Sequence, residues 1–384
     1  MKIEILAMKS IITNRDSLHK YFAWPNVARL RDGRLAAVAS GFRLYHKCSF
    51  GKGVISFSED EGQTWSIPSI VFDTPLDDRD CGIVAFGESS VMVTNANCGP
   101  FSNVFLHGCD RREKHGAYIS SYLEMMREQK DLEKYCGSTY RISHDNGRTF
   151  GEIKQMPVFC PHGPALLSDG NFLYIGGKIA EDYHHTGELA CYRLSPDGTF
   201  EHLSDIESAG EGLAMCEPHA IVLESGKVIV HIRVEQTYKV DQLHNIINTT
   251  YQCESWDGGK TFTKPHPIEG LETTGGCPAH IINDNGVLIS VLGHRWCVPQ
   301  IRAMFSFDEG ETWDCNHVVA ELSDTWCDHG YPASVALKDG SILTVFYSSD
   351  EGESGRTFWG NNKGEFHEFN TPVIRQVIWR YSRD

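Results

Sequence analysis

Ser306-Phe307-Asp308-Glu309-Gly310-Glu311-Thr312-Trp313 is a turn written out in residue types, and its S-x-D-x-G-x-T-aromatic pattern recurs at 58–65, 143–150 and 255–262. The Asp carboxylate suits the backbone N–H groups of its own turn, the Gly supplies positive φ, and the aromatic ring packs back under the hairpin. Four copies in register mark an internal repeat, and a repeat decides the fold before any other feature.

A second repeat interleaves with the first. Pro25, Pro218, Pro278 and Pro332 are each followed, eight residues on, by Gly33, Gly226, Gly286 and Gly340, with an apolar run between. The segments 35–39, 228–232, 287–292 and 342–347 are rich in β-branched and aromatic residues, so each unit opens as a hairpin. The run 165–169 with Gly170 and 172–175 is a fifth copy, and 83–86 with 91–94 a weaker sixth. Gly170, Gly226, Gly286 and Gly340 lie 56, 60 and 54 residues apart, room for four short strands per unit. The pattern predicts an all-β, six-bladed β-propeller that takes up residues 1–384 as a single domain. The octamers are expected in units one, three, five and six, with Ser195-Pro196-Asp197-Gly198-Thr199-Phe200 as an eroded copy in unit four. Near 109–136 the β pattern breaks. There Tyr118, Tyr122, Met125 and Met126 recur at helical spacing, which predicts a helical insertion over 117–135, set against the barrel side, a partner subunit or the pocket mouth.

At 41% hydrophobic over 384 residues the chain has the composition of a soluble globular protein. A net charge of -16 argues against nucleic acid or an acidic membrane as partner, because both would be repelled before contact. The first residues carry Lys2, Glu4, Lys9, Arg15 and Asp16 around short apolar pieces, and no run of about 18 apolar residues occurs anywhere, so a cytoplasmic location without membrane attachment is expected. The 13 cysteines are scattered, odd in number and without a C-x-x-C pair, which reads as reduced thiols. A homo-oligomer is left open.

In a propeller the innermost strand of every blade enters from the same face, so residues at its start converge on one pocket. That position holds Trp24, Asp80, His162, Glu217 with His219, His280 and Tyr331. Neighbouring strand ends add Arg43, Arg233, His294 and Arg295, with Arg302 further on. Such a set suits a polar, anionic, sugar-like ligand. His46, His162, His219, His280 and His294 lack H-x-x-x-H or H-E-x-x-H spacing, so no metal is assigned, and nothing in the chain calls for a cofactor.

The octamers on a six-unit β chain resemble the sialidase (neuraminidase) superfamily, as a divergent Asp-box or BNR-repeat member, over nearly the whole length. Glu217-Pro218, followed sixteen residues later by Arg233, is similar to the sialidase segment whose Glu supports the nucleophile and whose Arg holds the substrate carboxylate. Tyr331, eight residues before Asp339-Gly340, resembles the nucleophilic Tyr, and Arg302, ahead of the last octamer, resembles the third carboxylate-binding Arg. A Tyr has a chemical reason there: sialic acid carries a carboxylate on its anomeric carbon, which repels an anionic nucleophile but not a phenol whose proton a nearby Glu can take. Guanidinium forks suit the carboxylate.

Two departures stand out. Phe22-Ala23-Trp24-Pro25 replaces the Phe-Arg-Ile-Pro of sialidases, and the usual acid Asp has no counterpart in 41–49. Arg43, Arg79 or Arg295 are candidates for the missing guanidinium, and Asp78, Asp80, His46 or His162 for the acid. The resemblance implies an exo-sialidase acting on a sialoside or other acidic glycan. In it Tyr331 is nucleophile or charge stabiliser, Glu217 its base and Asp80 or His46 the acid. Arg233, Arg302 and Arg295 form the carboxylate clamp, and Arg43, Arg79, Asp78, His162, His219 and His280 line the substrate pocket. Two alternatives are a propeller hydrolase or lyase for uronic-acid-containing saccharides, in which a His/Tyr pair moves the proton, and a glycan-binding propeller without catalysis.

Overall fold

Each Pro-to-Gly unit forms the first two strands of a four-stranded antiparallel blade, because a tight Gly turn returns one β-branched run beside the other. The structure is a computed structural model and describes all residues except 45, 47, 49, 98–124, 126–127, 181–184, 237–247, 296–297, 323–327, 350–355, 361–365 and 384. Blade one is Tyr21–Arg29, Leu35–Arg43, Lys52–Ser58 and Ser69–Phe72. Blade two is Arg79–Phe86, Ser90–Asn97, Gly137–Ser143 and Lys154–Met156. Blade three is Phe172–Ile179, His185–Leu194 and Phe200–Ile206, with its inner strand split into Val158–Phe159 and Ala165–Leu166. Blade four is Leu213–Val222, Val228–Gln236, Asn248–Ser255 and His266–Pro267. Blade five is Ala279–Asp284, Val287–His294, Gln300–Ser306 and Asp314–Glu321.

Blade six closes the ring. Its strands Gly330–Ala336, Ile342–Ser349 and Pro372–Ser382 are completed by the N-terminal strand Lys2–Ile12, paired from Lys2↔Ser382 to Ile12↔Ile374. The all-β six-bladed propeller is therefore as the repeat predicts, with the N-terminal segment as a strand that the repeat did not reveal. Of the predicted helical insertion, Leu132–Tyr135 is a single 3-10 turn; most of 117–135 lies outside the described residues. Among the described residues no helix is long and apolar enough to cross a membrane.

The octamers link the third and fourth strands of blades one, two, four and five, with the eroded copy in blade three. Each octamer lies in the second half of its unit as expected, but the units are one, two, four and five, with the eroded copy in three, which corrects the numbering assigned from sequence. In the first, Asp60 Oδ1 accepts from Thr64 N at 2.7 Å, and buried Ser58 Oγ accepts from Gly62 N at 2.8 Å. The Gly has two duties. Gly310 sits at φ 81, and a Cβ there would lie 2.6 Å from Ile229 Cδ1 of blade four, so the turn folds flat against the preceding blade. Where the aromatic is Trp, a Gln of that preceding blade clamps the turn: Gln252 Nε2 donates to Gly310 O at 2.8 Å and accepts at Oε1 from Trp313 Nε1 at 2.7 Å.

Apolar burial is distributed between blades. One cluster joins Leu173, Cys191, Val230 and Cys253 of blades three and four, and another Val291, Phe305, Phe346 and Trp379 of blades five and six. Sheet faces pack on sheet faces around the ring, which leaves the hub to polar and aromatic side chains.

Candidate active site

Four hub residues share one unusual backbone state. Trp24, Asp80, Glu217 and Tyr331 have φ of 52, 49, 47 and 46, each at a break in strand register where the innermost strand begins. Three of them precede a proline, which has no N–H for the ladder and pushes its predecessor out of the right-handed helical region. In the third blade the residue before Pro164 is Gly163, at φ 78. A non-glycine residue held there costs on the order of 1 kcal/mol or more, and such strain, repeated around a hub, marks positions where a side chain has to be aimed.

The aim is visible in the contacts. Tyr331 Oη donates to Glu217 Oε1 at 2.5 Å, across 114 residues of sequence. Arg233, on the strand beside Glu217, donates from Nη1 to Glu217 Oε2 and to Tyr331 Oη, the latter at 3.1 Å. Phenol, carboxylate and guanidinium thus form one closed triangle. Burial, then the Glu217 charge, pushes the Tyr331 hydroxyl well above its ordinary pKa, so the phenol keeps its proton until something accepts it. Glu217 is the acceptor in contact. Arg233 also donates from Nη2 to Glu235 Oε1, so both arms of its fork meet protein carboxylates.

Asp80 lies near the triangle, close enough for its charge to bear on both Tyr331 and Glu217. Burial pushes its carboxyl up to about 6, against the lowering effect of Arg79, whose Nε lies 3.7 Å away. Its Oδ1 is buried and has no hydrogen-bond partner among the described residues. A carboxyl half-protonated near neutrality with one unspent oxygen is suited to proton transfer. Arg79 lies over the Trp24 ring at 4.1 Å.

A second cluster faces the first. His46 Nδ1 lies 3.0 Å from Asp328 Oδ1 and 3.1 Å from Tyr21 Oη, while Tyr21 donates to Asp328 Oδ2 at 2.6 Å. Tyr347 donates to Asp328 Oδ1 at 3.1 Å and accepts from Arg295 Nη2 at 3.1 Å. Arg295 is anchored by the carbonyls of His329 and Gly276 at 2.9 and 2.7 Å, and its Cζ lies 5.6 Å from the Tyr331 ring centre, which joins the clusters. Burial lowers the His46 pKa, with Asp328 opposing. Burial works against the Asp328 charge too, yet His46 and Tyr21 hold that carboxyl below its usual range.

No family model matches this sequence and no curated protein matches it. Solved structures do. A protein of unknown function from Dyadobacter fermentans aligns at TM-score 0.72 and 15% identity over 99% of both chains. The NanB sialidase of Streptococcus pneumoniae aligns at 0.63 and 16% over 97% of this chain and 70% of its own. The intramolecular trans-sialidase of Ruminococcus gnavus aligns at 0.62 and 13% over 96% of both. The fold is the sialidase propeller. At these identities the likeness concerns architecture alone.

Tyr331, Glu217, Arg233, Asp80, Arg79, Arg295 and His46 are brought together around one hub. Others are not. Arg302 sits on the third strand of blade five, where Nη1 donates to Glu272 Oε2 at 2.6 Å and Nε to Gln300 Oε1 at 2.8 Å, with no contact to the Tyr331 cluster among the described residues. Arg43 is fully buried behind Trp24, paired with Asp77 at 2.6 Å, and Asp78 accepts from Thr74 and Asn95, so both anchor loops beneath the pocket. Their large charge density in sequence is spent on the scaffold.

The hub histidines are also structural. His219 and His280 stack at 4.2 Å, with His162 edge-on to both at 5.3 and 5.2 Å. Innermost strands are sheet edges with unpaired N–H groups, and His219 Nδ1 accepts from Ile281 N at 2.9 Å while His280 Nδ1 accepts from Ser334 N at 3.3 Å. Each imidazole stitches its blade to the next. Those lone pairs are unavailable to a metal ion, and among the described residues no group of three His, Cys, Asp or Glu is placed to hold one.

Sequence reasoning missed Asp328, Tyr21, Tyr347 and Glu235. A signal existed for two of them: Tyr21 and Asp328 each stand three residues before a strained hub residue, Trp24 and Tyr331, as Asp77 does before Asp80. Aligning the units on those residues brings the three positions together.

Proposed function

We propose that this chain is a glycoside hydrolase that releases a terminal acidic sugar from a glycan, with a sialoside as the first candidate substrate. The observation that carries the reading is the 2.5 Å bond from Tyr331 to Glu217, made inside a buried triangle with Arg233. An anomeric carbon that carries a carboxylate is the circumstance in which a phenol serves better than a carboxylate. Tyr331 Oη bonds to the anomeric carbon as its proton passes to Glu217 Oε1, and Asp80 gives its proton to the departing aglycone oxygen. Water then displaces the phenolate as a base takes one of its protons, the phenolate recovers its own proton from Glu217, and Asp80 is reprotonated, so that the net change is addition of water. Arg233, Arg295 and Arg79 surround this centre and are the cations proposed for the substrate carboxylate.

The test is incubation of the protein with aryl sialosides and aryl uronosides, with NMR of any released sugar. Turnover lost in Tyr331→Phe supports the reading; no release from any substrate refutes it and favours a binding propeller. A second enzymatic reading, elimination on a uronic-acid saccharide, draws on the contact of His46 with Tyr21 beside Arg79. Its product is an unsaturated sugar, recognised by ultraviolet absorbance.

A further inference from the structure

We infer that Asp328 and Tyr21 are positioning residues that hold His46 as a base distinct from the acid Asp80, so that this propeller divides between two residues the proton transfers that a single carboxyl would otherwise perform. The inference rests on the glycosidase reading above. Its root is hydrogen-bond accounting at one nitrogen. The Tyr21 hydroxyl spends its proton on Asp328 Oδ2 at 2.6 Å, so towards His46 it presents oxygen lone pairs, and Asp328 Oδ1 presents only lone pairs as well. Both of these described neighbours of Nδ1 are acceptors, which favours Nδ1 as the N–H and the lone pair on Nε2. The ring is held edge-on against Trp24 at 5.0 Å, the strained hub residue on whose face Arg79 lies. Among the described residues the groups bearing on His46 include Asp328, Tyr21, Arg79 and Arg43, and both guanidinium groups donate to its carbonyl. Burial, aided by Arg79 and Arg43 and opposed by Asp328, lowers the His46 pKa and so favours the neutral imidazole that a base requires.

The balance is closed. In the second half of the reaction His46 Nε2 takes a proton from water, the water oxygen bonds to the anomeric carbon, and the bond from that carbon to Tyr331 Oη breaks with its electron pair. Glu217 returns the phenolic proton. His46 then loses its proton to solvent and Asp80 regains one, so the net change is addition of water.

The experiment uses Asp328→Asn, Tyr21→Phe and His46→Gln with 4-methylumbelliferyl sialoside, whose leaving group needs little acid. We expect kcat to fall about 10²-fold or more in Asp328→Asn and His46→Gln, as for loss of a positioned base, with a burst of aglycone stoichiometric with enzyme before the slow phase. Azide, a nucleophile with no proton to remove, restores the rate. The acidic limb of the kcat profile moves to lower pH in Asp328→Asn, because the charge that raises the His46 pKa has gone. Wild-type kcat in His46→Gln, or a loss with neither burst nor azide rescue, overturns the inference while leaving the glycosidase reading intact. If Asp328→Asn does not fold, Tyr21→Phe carries the same burst and rescue readouts. If the wild type turns over no sialoside, the glycosidase reading fails first, and ¹⁵N NMR still decides the tautomer: a proton on Nε2 of His46 at pH 7 overturns the positioning claim.

Discussion

Tyr331→Phe and Glu217→Gln, made singly and together, give the sharpest test of the hub. Each single change removes one end of the 2.5 Å bond while Arg233 keeps a carboxylate partner, Glu217 in the first variant and Glu235 in the second. Folding should therefore lose only about 1 kcal/mol, the usual worth of one such bond. Catalysis loses far more. If phenol and carboxylate act in one transfer, either deletion removes the same event and costs on the order of 10³ in kcat/KM, about 4 kcal/mol of transition-state stabilisation. The double variant should then cost little beyond a single, about 4 to 5 kcal/mol, where independent groups would cost about 8. Steady-state rates on an aryl sialoside, with thermal melts to confirm folding, measure the cycle. Additive losses would show that Tyr331 and Glu217 do not share a proton in the reaction, and the mechanism built on their contact would fall.

Three other outcomes follow from the same geometry. Gly310→Ala places a Cβ 2.6 Å from Ile229 Cδ1 at φ 81, so urea unfolding should show a loss of about 2 kcal/mol; an unchanged midpoint would mean that the octamer turn does not set blade spacing. Glu235→Gln releases Arg233 Nη2 and should lower KM for an anionic substrate about fivefold, roughly 1 kcal/mol, whereas Arg302→Ala, held by Glu272, should leave KM within about threefold; the reverse pattern would restore the clamp expected from the family resemblance. Acid should destabilise the hub. Burial depresses His162, His219, His280 and His231, so below about pH 6.5 the unfolded chain binds protons that the folded chain refuses, and stability falls with pH. Asp78 and Asp80, raised to about 6, act the opposite way between about pH 6 and 4. Four imidazoles against two carboxyls leave the folded state less stable at pH 5 than at pH 7, which urea titrations at the two pH values would contradict if stability were equal or greater in acid.

Much of the site was readable because propeller geometry converts repeat register into spatial convergence. Knowing that residues before Pro25, Pro218 and Pro332 open innermost strands was enough to bring Trp24, Glu217 and Tyr331 to one hub. The errors have a common source. Arg302 fits a sialidase pattern by its distance from an octamer, yet Glu272, thirty residues away in sequence, claims it. Arg43 and Asp78 carry the right charges but have buried partners of their own, and His219 and His280 face a sheet edge whose needs are invisible until blades are side by side.

What the chain determined by itself was periodicity: octamer turns, Pro-to-Gly hairpins and a strand count that closes as six blades, since these depend on local backbone preferences and on residue spacing. What the tertiary structure alone decided was pairing. Which carboxylate meets which guanidinium, and that Asp328 with Tyr21 would orient His46, depends on contacts across as many as 307 residues of sequence, where hydrogen-bond geometry within a few tenths of an ångström selects one partner among many of equal charge. The N-terminal strand belongs to the same category, since its place in blade six exists only once the ring has closed.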